Sequence, residues 1–221
     1  MKQVLVIGAS GGIGSAMVSA LEARGARVTG LSRSGDGLDV TDEASVEAHL
    51  GALEGPFDAL LVLTGALEID GAEPEKTVKA ITAKAMADQF AVNAIGPALI
   101  LRHAPRLLPR EGRSVCAVLT ARVGSIGDNR IGGWTSYRAA KAAANQIVHT
   151  TAIELARTHS EAVMIALHPG TVATPFTEKY LGRHPSVPPE EAAQNMLEVL
   201  DTLTPAQTGG FYDYAGKEIV W

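Results

Sequence analysis

Short apolar runs alternate with longer segments of helical periodicity along this chain of 221 residues. The apolar runs are nearly continuous, which is typical of parallel strands covered on both faces. They occupy residues 3–7, 27–31, 37–40, 59–63, 114–119, 162–167 and, more weakly, 218–220. The helical segments occupy residues 12–24, 42–50, 83–108, 135–158 and 189–203, and Pro97 after Gly96 predicts a kink in the third of these. This alternation predicts an α/β fold, a Rossmann-type doubly wound parallel sheet of about seven strands with helices on both faces.

Length and composition narrow the class of protein. The chain fits one domain, residues 1–221. Its net charge of −5 comes without a run of Lys or Arg, which argues against nucleic-acid binding, and no apolar stretch is long enough to predict a membrane span. Cys116 is the one cysteine and lies in an apolar stretch, so we expect a buried structural thiol and a cytoplasmic protein. The six histidines lack metal-ligand spacing, and we predict no metal site.

A glycine pattern follows the first apolar run. Gly8, Gly12 and Gly14 form G-x-x-x-G-x-G where a helix is predicted to begin. Glycine permits backbone conformations and close approaches that a Cβ atom blocks. The free N–H groups and the positive dipole end of the following helix favour an anionic pyrophosphate. The order of strand, loop and helix therefore predicts a dinucleotide-binding site.

Tyr137 and Lys141 are separated by four residues in a predicted helix and therefore share one face. A cation about 4 Å from the phenol would favour the phenolate by roughly 4 kcal/mol at an effective dielectric constant near 20. We therefore expect Lys141 to lower the pKa of Tyr137, so that the phenol works as an acid or base near neutral pH. The alternative for the pair taken alone is a half-buried Tyr beside a solvated Lys.

Several motifs in the same order resemble the short-chain dehydrogenase/reductase family over essentially the whole chain. Residues 7–14 match its T-G-x-x-x-G-x-G pattern with Ile in place of Thr, Tyr137 and Lys141 match its Y-x-x-x-K, and residues 168–174 resemble its P-G segment. Asn93 matches the helix Asn of the family, and Asp39 resembles an Asp that contacts adenine. The runs ARVGSIGDNRIGGWTSYRAAK and GGFYDYAGKEIVW resemble more specifically the C-factor and sniffer-like carbonyl reductase branch.

The resemblance implies hydride transfer between a nicotinamide cofactor and a carbonyl or alcohol substrate, with Tyr137 as proton donor or acceptor. Lys141 would lower the pKa of Tyr137 and hold the nicotinamide ribose, and Asn93 would position a water that links Lys141 to solvent. The positions expected to contact the cofactor are Gly8, Ser10, Gly12, Ile13, Gly14, Ser32, Arg33, Asp39, Val40, Gly65, Tyr137, Lys141, Pro169, Gly170, Val172 and Thr174.

Two departures from the family pattern affect these expectations. Residues 62–65 read VLTG where the family has N-N-A-G, so the usual Asn contacts are missing. The Ser-Ser pair at the end of the fifth strand of the family reads Thr120-Ala121 here. Ser125 lies twelve residues before Tyr137, close to the usual spacing, and is the candidate for the hydrogen bond to the substrate carbonyl. Thr120 is the alternative.

The end of the second predicted strand indicates which nicotinamide cofactor is bound. An acidic residue there would bind a ribose 2′-OH and repel a 2′-phosphate. The chain has Ser32, Arg33 and Ser34, and a hydroxyl with a guanidinium suits a phosphate. We therefore predict NADP(H). Gly11, where many NADP-using relatives carry a basic residue, leaves NAD(H) as the alternative.

Substrate and assembly are less closely specified. Residues 175–188 should form a lid, and Trp134, Phe176 and Tyr180 are candidates for an apolar pocket that fits a small carbonyl compound. Small apolar residues surround most of the helix at 135–158, which with the helix at 83–108 predicts a homodimer or homotetramer, with Ala143 or Ala144 facing the partner. A dinucleotide-binding signalling or scaffold protein with little turnover is the competing interpretation.

Overall fold

Six apolar runs form one parallel sheet in the part of the chain that the computed structural model describes, residues 1–174, 177, 179 and 185–221. The strands are β1 (Gln3–Ile7), β2 (Arg27–Leu31), β3 (Ala59–Val62), β4 (Ser114–Leu119), β5 (Ala162–His168) and β6 (Phe211–Asp213). Their order across the sheet is β2-β1-β3-β4-β5-β6, and every neighbouring pair is parallel. The order in which strands are added to the sheet reverses between β1 and β3, and such a switch point opens a crevice at the carboxyl ends of the strands.

The helices connect these strands and cover the sheet. They are α1 (Gly12–Ala23), α2 (Arg33–Asp36), α3 (Glu43–Gly51), α4 (Ala83–Phe90), α5 (Gly96–Leu101), α6 (Ala104–Leu107), α7 (Thr135–Leu155) and α8 (Pro189–Thr202). A π-helix, Ala91–Ile95, joins α4 to α5, and short 3₁₀ turns lie at Val78–Ala80, Arg122–Gly124 and Pro205–Gln207. No helix among the described residues has the length and hydropathy needed to cross a bilayer.

Alternate residues of the strands point to opposite faces of the sheet and create two hydrophobic layers. Leu5 and Ile7 of β1 belong to a cluster with side chains of α3, α5 and α7. Val4 and Val6 belong to the other cluster, which α1 and α8 complete. Burial of both faces explains why the strands lack polar alternation. The predicted doubly wound architecture is confirmed.

The structure differs from the sequence prediction at two strands. Residues 37–40 form a loop, because Gly37 ends α2 in the left-handed region and Asp39 donates its backbone N–H to Ser45 Oγ instead of to a strand. The last strand is Phe211–Asp213, and Glu218 makes only an isolated antiparallel bridge to Tyr212. The described sheet therefore has six strands, close to the predicted seven.

The predicted helix at 83–108 is divided rather than merely kinked. The π-helix interrupts it before Pro97, which lies in the first turn of α5, and α6 begins just before Pro105. A proline lacks the N–H that would continue the preceding helix, but it fits the first turn of a new one. Each proline thus lies where a new helical segment starts.

The glycine loop should tolerate a methyl group at one position and not at another. A Cβ atom at Gly14 would lie 2.0 Å from the carbonyl oxygen of Gly8, whereas one at Gly11 would lie 3.4 Å from it. We expect Gly14→Ala to lower the free energy of unfolding by about 1–3 kcal/mol through overpacking. The control Gly11→Ala should cost less than about 1 kcal/mol. Urea unfolding of both variants measures the difference, and equal stabilities would contradict this packing.

Candidate active site at the carboxyl edge of the sheet

The glycine loop after β1 is a cradle that leaves no room for a side chain at Gly12 or Gly14. Gly8 has a φ of +90° and donates its N–H to Leu31 O over 2.8 Å. A Cβ atom at Gly12 would lie 2.7 Å from Thr174 Cγ2, so the loop touches the segment that follows β5. Ile13 is partly buried and packs against the core cluster next to α1. The predicted positions on the two segments are therefore neighbours.

The N-terminus of α1 is suited to an anion. In the described part of the chain no side chain caps it, and its first turn carries no acidic residue. The first N–H groups of a helix lack intrahelical acceptors and carry the positive end of the helix dipole. A pyrophosphate group fits both the space over the glycines and the sign of this field.

The segment after β2 forms the short helix α2 rather than a loop. Ser32 caps α2: its Oγ accepts from Gly35 N over 3.0 Å, and its backbone N–H donates to Asp36 Oδ2 over 2.8 Å. The Ser32 side chain is buried, whereas Arg33 is exposed. Ser34 Oγ donates to Ser10 Oγ over 2.8 Å, which ties this turn to the glycine loop. Arg33 is thus the more available of the two groups assigned to a phosphate, and the Asp36 carboxylate beside Ser32 was not anticipated.

Asp39 and Val40 lie in the loop that follows α2. The hydroxyl and backbone N–H of Thr41 both donate to Asp39 Oδ1, and these bonds hold the pKa of this carboxyl below its usual range. Val40 packs so closely on the start of α5 that a Cβ atom at Gly96 would lie 2.9 Å from its Cγ2. The two residues therefore have fixed positions beside the crevice.

The segment after β5 returns toward the glycine loop. Pro169 and Gly170 are partly exposed, Gly170 has a φ of +80°, and Val172 forms a parallel bridge with Val187. Thr174 donates its N–H to Thr177 Oγ1 over 3.2 Å. Phe176 and Tyr180 of the predicted lid lie outside the described residues.

Tyr137 and Lys141 lie in the first two turns of α7 and are 6% and 3% exposed. Lys141 Nζ donates to the carbonyl oxygen of Leu119 over 3.1 Å and lies 5.8 Å from the centroid of the Tyr137 ring. A Cβ atom at Gly65 would lie 3.3 Å from Lys141 Nζ. The helix thus brings the predicted pair together at the carboxyl ends of β3 and β4. The alternative of a solvated Lys is wrong.

The expected electrostatics of this pair are reversed by burial. Removal from water disfavours the charged form of each group, so burial raises the pKa of Tyr137 well above its usual value. The same effect lowers the pKa of Lys141 to about 8. The expectation that Lys141 lowers the pKa of Tyr137 is therefore corrected: desolvation outweighs the attraction, and Tyr137 is a neutral phenol at pH 7.

Asn93 lies in the π-helix and is fully buried. Its Nδ2 donates to Ala66 O over 2.8 Å and to Gln89 Oε1 over 2.7 Å, and its Oδ1 accepts from Ala66 N over 3.1 Å. A Cβ atom at Gly65 would lie 3.1 Å from this Oδ1. Asn93 therefore fixes the loop after β3 and converges with Lys141 on the face of Gly65.

The two candidates for the carbonyl hydrogen bond differ in their partners. The Ser125 hydroxyl donates to the carbonyl oxygen of Val220 and accepts from Asp128 N over 3.0 Å. Thr120 Oγ1 is buried and has no hydrogen-bond partner among the described residues. Thr120 directly follows Leu119, whose carbonyl oxygen accepts from Lys141 Nζ, and no described residue engages the Thr120 hydroxyl. This geometry favours the alternative, Thr120, over Ser125.

A cleft opens beside Tyr137 between α7, α4 and the loop before α4. Its walls include Ile69, Pro74, Glu75, Gln89 and Tyr137. The Trp134 ring meets that of Tyr137 edge to face, with centroids 6.2 Å apart. Glu75 was not predicted as a site residue, because its contacts lie about sixty positions away and leave no local pattern.

Comparisons with known proteins place this chain in a family. A family model described as enoyl-(acyl carrier protein) reductase matches residues 8–209. The 1-hydroxy-2-glutathionyl-2-methyl-3-butene dehydrogenase of Rhodococcus sp. strain AD45 is 34% identical over the full length of both chains. The C-signal protein of Myxococcus xanthus is 38% identical over 62% of this chain and 78% of its own.

A solved structure agrees with these matches. The putative short-chain dehydrogenase/reductase from Burkholderia multivorans with bound NADP superimposes with a TM-score of 0.83. It is 27% identical, and the match covers 100% of this chain and 99% of the other. The chain belongs to the short-chain dehydrogenase/reductase family, as its motifs predicted.

The buried Lys141 should reduce stability at neutral pH. Its pKa of about 8 lies below the ordinary 10.5, so at pH 7 a charge is buried. We expect Lys141→Met to raise the free energy of unfolding by roughly 2 kcal/mol at pH 7. A pKa difference of one unit corresponds to about 1.4 kcal/mol, so the buried charge costs the wild type roughly 3 kcal/mol. The variant loses the hydrogen bond from Lys141 to Leu119, which contributes about 1 kcal/mol, and the difference is the expected gain.

This advantage should shrink as the pH rises. Above pH 8 the folded wild type releases the Lys141 proton while the unfolded chain retains it, so the wild type gains stability up to about pH 10. Urea unfolding of both proteins at pH 7 and about pH 9.5 measures the change. A variant less stable at pH 7, or an advantage independent of pH, would contradict the buried charge.

Proposed function

We propose that this protein is an NADP(H)-dependent oxidoreductase that reduces a carbonyl compound to an alcohol, with Tyr137 as the proton donor. The observation that carries the proposal is the buried pair of Tyr137 and Lys141 beside Gly65 and Asn93, next to a cleft. The fold supplies the crevice at the switch point, and the glycine cradle supplies the adjoining anion site.

The cofactor assignment rests on charge and space. The glycine loop and the α1 N-terminus would hold the pyrophosphate, Asp39 and Val40 would contact the adenine side, and Gly65 would leave room near Lys141. Arg33 is exposed at the end of β2, where a guanidinium would bind a 2′-phosphate. The relative from Burkholderia multivorans has bound NADP, which supports the same choice. When bound, the nicotinamide supplies the hydride.

The protonation states at pH 7 are compatible with carbonyl reduction. Tyr137 is protonated, which is the form that donates a proton to a carbonyl oxygen, and its raised pKa makes the phenol a weaker acid than a solvated tyrosine. Lys141, with a pKa of about 8, is close enough to neutrality to hold a proton and to release it. Asn93 shares the face of Gly65 with Lys141 and would position the water that returns a proton from solvent.

Negative charge that develops on the substrate oxygen needs a second donor. The Thr120 hydroxyl is buried without a partner in the described part of the chain, and a role in binding the substrate oxygen would explain why a group that costs stability is kept there. We assign the oxyanion hydrogen bond to Thr120 and a structural role to Ser125, whose hydroxyl holds Val220.

We also propose that the protein is a homo-oligomer. Ile153 on α7 is 54% exposed, and Ile95 at the end of the π-helix is 50% exposed. Ala143 on α7 is only partly buried. Ala144 is fully buried within the chain, so of the two alanines Ala143 is the one proposed to face a partner. Burial of these side chains against a second copy would remove them from water.

The central test is Tyr137→Phe. The ring and its packing against Trp134 remain, and only the transferable proton is lost. With a carbonyl compound that the wild type reduces, we expect kcat to fall by about 10²–10⁴-fold while the Kd for NADPH stays nearly unchanged. Following NADPH oxidation over a panel of ketones, aldehydes and quinones measures kcat, and a fluorescence titration with NADPH measures the Kd.

Two outcomes would count against the proposal. A Tyr137→Phe variant with near wild-type kcat would remove Tyr137 from the chemistry. A wild type that binds NADPH tightly but oxidises it with no member of the panel would favour the competing interpretation, a dinucleotide-binding signalling or scaffold protein.

The two hydroxyl candidates should separate by kinetics and stability. Thr120→Val preserves the shape and removes an unpaired hydroxyl, so kcat should fall by about 10²–10³-fold without loss of stability. Ser125→Ala breaks the bond to Val220, so its main effect should be a lower melting temperature. If Ser125→Ala lowers kcat more than Thr120→Val at equal stability, Ser125 is the oxyanion donor.

A further inference from the structure

The helix that carries Tyr137 lacks an N-cap of its own. Its N-cap position is Trp134, which has a φ of +53° and offers no side-chain cap. A left-handed conformation is unfavourable for a bulky residue and persists only when neighbouring contacts hold it. The first N–H groups of a helix also need acceptors when they are buried, and Ser136 is 1% exposed.

Glu75 supplies these missing contacts from the opposite wall of the cleft. One of its carboxylate oxygens accepts from Ser136 N over 3.2 Å, and the other accepts from the Ser136 hydroxyl. Its backbone carbonyl accepts from Trp134 N over 2.6 Å. The side chain is only 7% exposed although it carries a carboxyl group. A buried carboxyl with its oxygens committed to one helix terminus is a cap supplied at long range.

The capped residues adjoin the proposed reaction centre. Ser136 precedes Tyr137, and Trp134 places its ring against the Tyr137 ring. Glu75, Ser136 and Tyr137 all line the same cleft. A shift of the α7 terminus would therefore move the phenol and the aromatic wall together.

We infer that Glu75 is a positioning residue, which caps α7 across the substrate cleft and thereby fixes Tyr137 and Trp134 in the geometry needed for proton transfer. The inference rests on the proposed function of Tyr137. It assigns Glu75 no contact with the reacting atoms. The contacts of Glu75 with Trp134 and Ser136, here called the clamp, join the loop before α4 to the start of α7. They therefore hold the two walls of the cleft at a fixed distance.

The experiment compares Glu75→Ala, Glu75→Gln and a matched control. Asp42→Ala is the control, because Asp42 caps α3 from an exposed N-cap position, accepting from Ala44 N over 3.0 Å away from the cleft. Loss of the Asp42 cap should lower the melting temperature by about 2–4 °C, and loss of the buried Glu75 cap by at least as much. Only the loss of Glu75 should change catalysis.

We expect Glu75→Ala to lower kcat by about 10- to 100-fold, because a small displacement of a proton donor is costly, with the Kd for NADPH unchanged. Glu75→Gln keeps the shape and one acceptor oxygen, so it should recover most of the lost activity. Asp42→Ala should retain kcat within about two-fold. A Glu75→Ala enzyme with the kcat of the control, or with no rescue by Gln, would overturn the positioning role.

A second readout does not depend on turnover. The chain has two tryptophans, so Trp221→Phe leaves Trp134 as the sole tryptophan reporter. In that background Glu75→Ala should shift the Trp134 emission and increase its quenching by acrylamide, while Asp42→Ala should not. Unchanged Trp134 fluorescence would refute the clamp whatever the kinetics. If the wild type reduces no carbonyl compound, the proposed function fails and the catalytic part of this inference fails with it, while the fluorescence still decides the clamp.

Discussion

The buried ammonium of Lys141 is the constraint on which the rest of the site depends. A charge 3% exposed is stable only where an acceptor meets it, and the carbonyl oxygen of Leu119 at the end of β4 does so. That contact requires α7 to lie close against the sheet edge. Gly124 makes the approach possible, because a Cβ atom there would lie 2.8 Å from the backbone carbon of Lys141. The close packing of α7 on the sheet edge thus places the ammonium at this carbonyl oxygen.

Other features of the site follow from that close packing. Tyr137 lies one helical turn before Lys141 on the same face of α7, so it is buried as well, and its phenol stays neutral at pH 7. Asn93 Oδ1 and Lys141 Nζ both approach the open face of Gly65, and the π-helix places Asn93 there. The start of α7 then lies in the protein interior rather than in water, which accounts for a buried carboxylate at that terminus. The proposed chemistry needs the protonated form of the phenol, and burial maintains that form at pH 7.

Local patterns predicted much of the fold and part of the site. The strands from β1 to β5, the glycine loop and the pair on α7 are visible because their signals lie within a few residues of each other. The strand expected at 37–40 is absent from the described sheet because Gly37 ends α2 and Asp39 takes part in a turn. The last strand was expected at 218–220, but the strand of the sheet is Phe211–Asp213, and Glu218 only folds back onto it. Ser125 was chosen by spacing, but its hydroxyl is used by Val220, which lies 95 residues away. The sign of the Tyr137 pKa shift also escaped prediction, because spacing along a helix does not reveal how far both groups are removed from water.

The most direct test of the account is the fate of the transferred hydrogen. A ketone or aldehyde found active in the panel would be reduced with NADPH carrying deuterium at both nicotinamide C4 positions, and the alcohol examined by mass spectrometry and NMR. The account predicts one deuterium on the former carbonyl carbon and a solvent-derived proton on its oxygen. NADPH oxidation that leaves no deuterium on that carbon would contradict hydride transfer at this site.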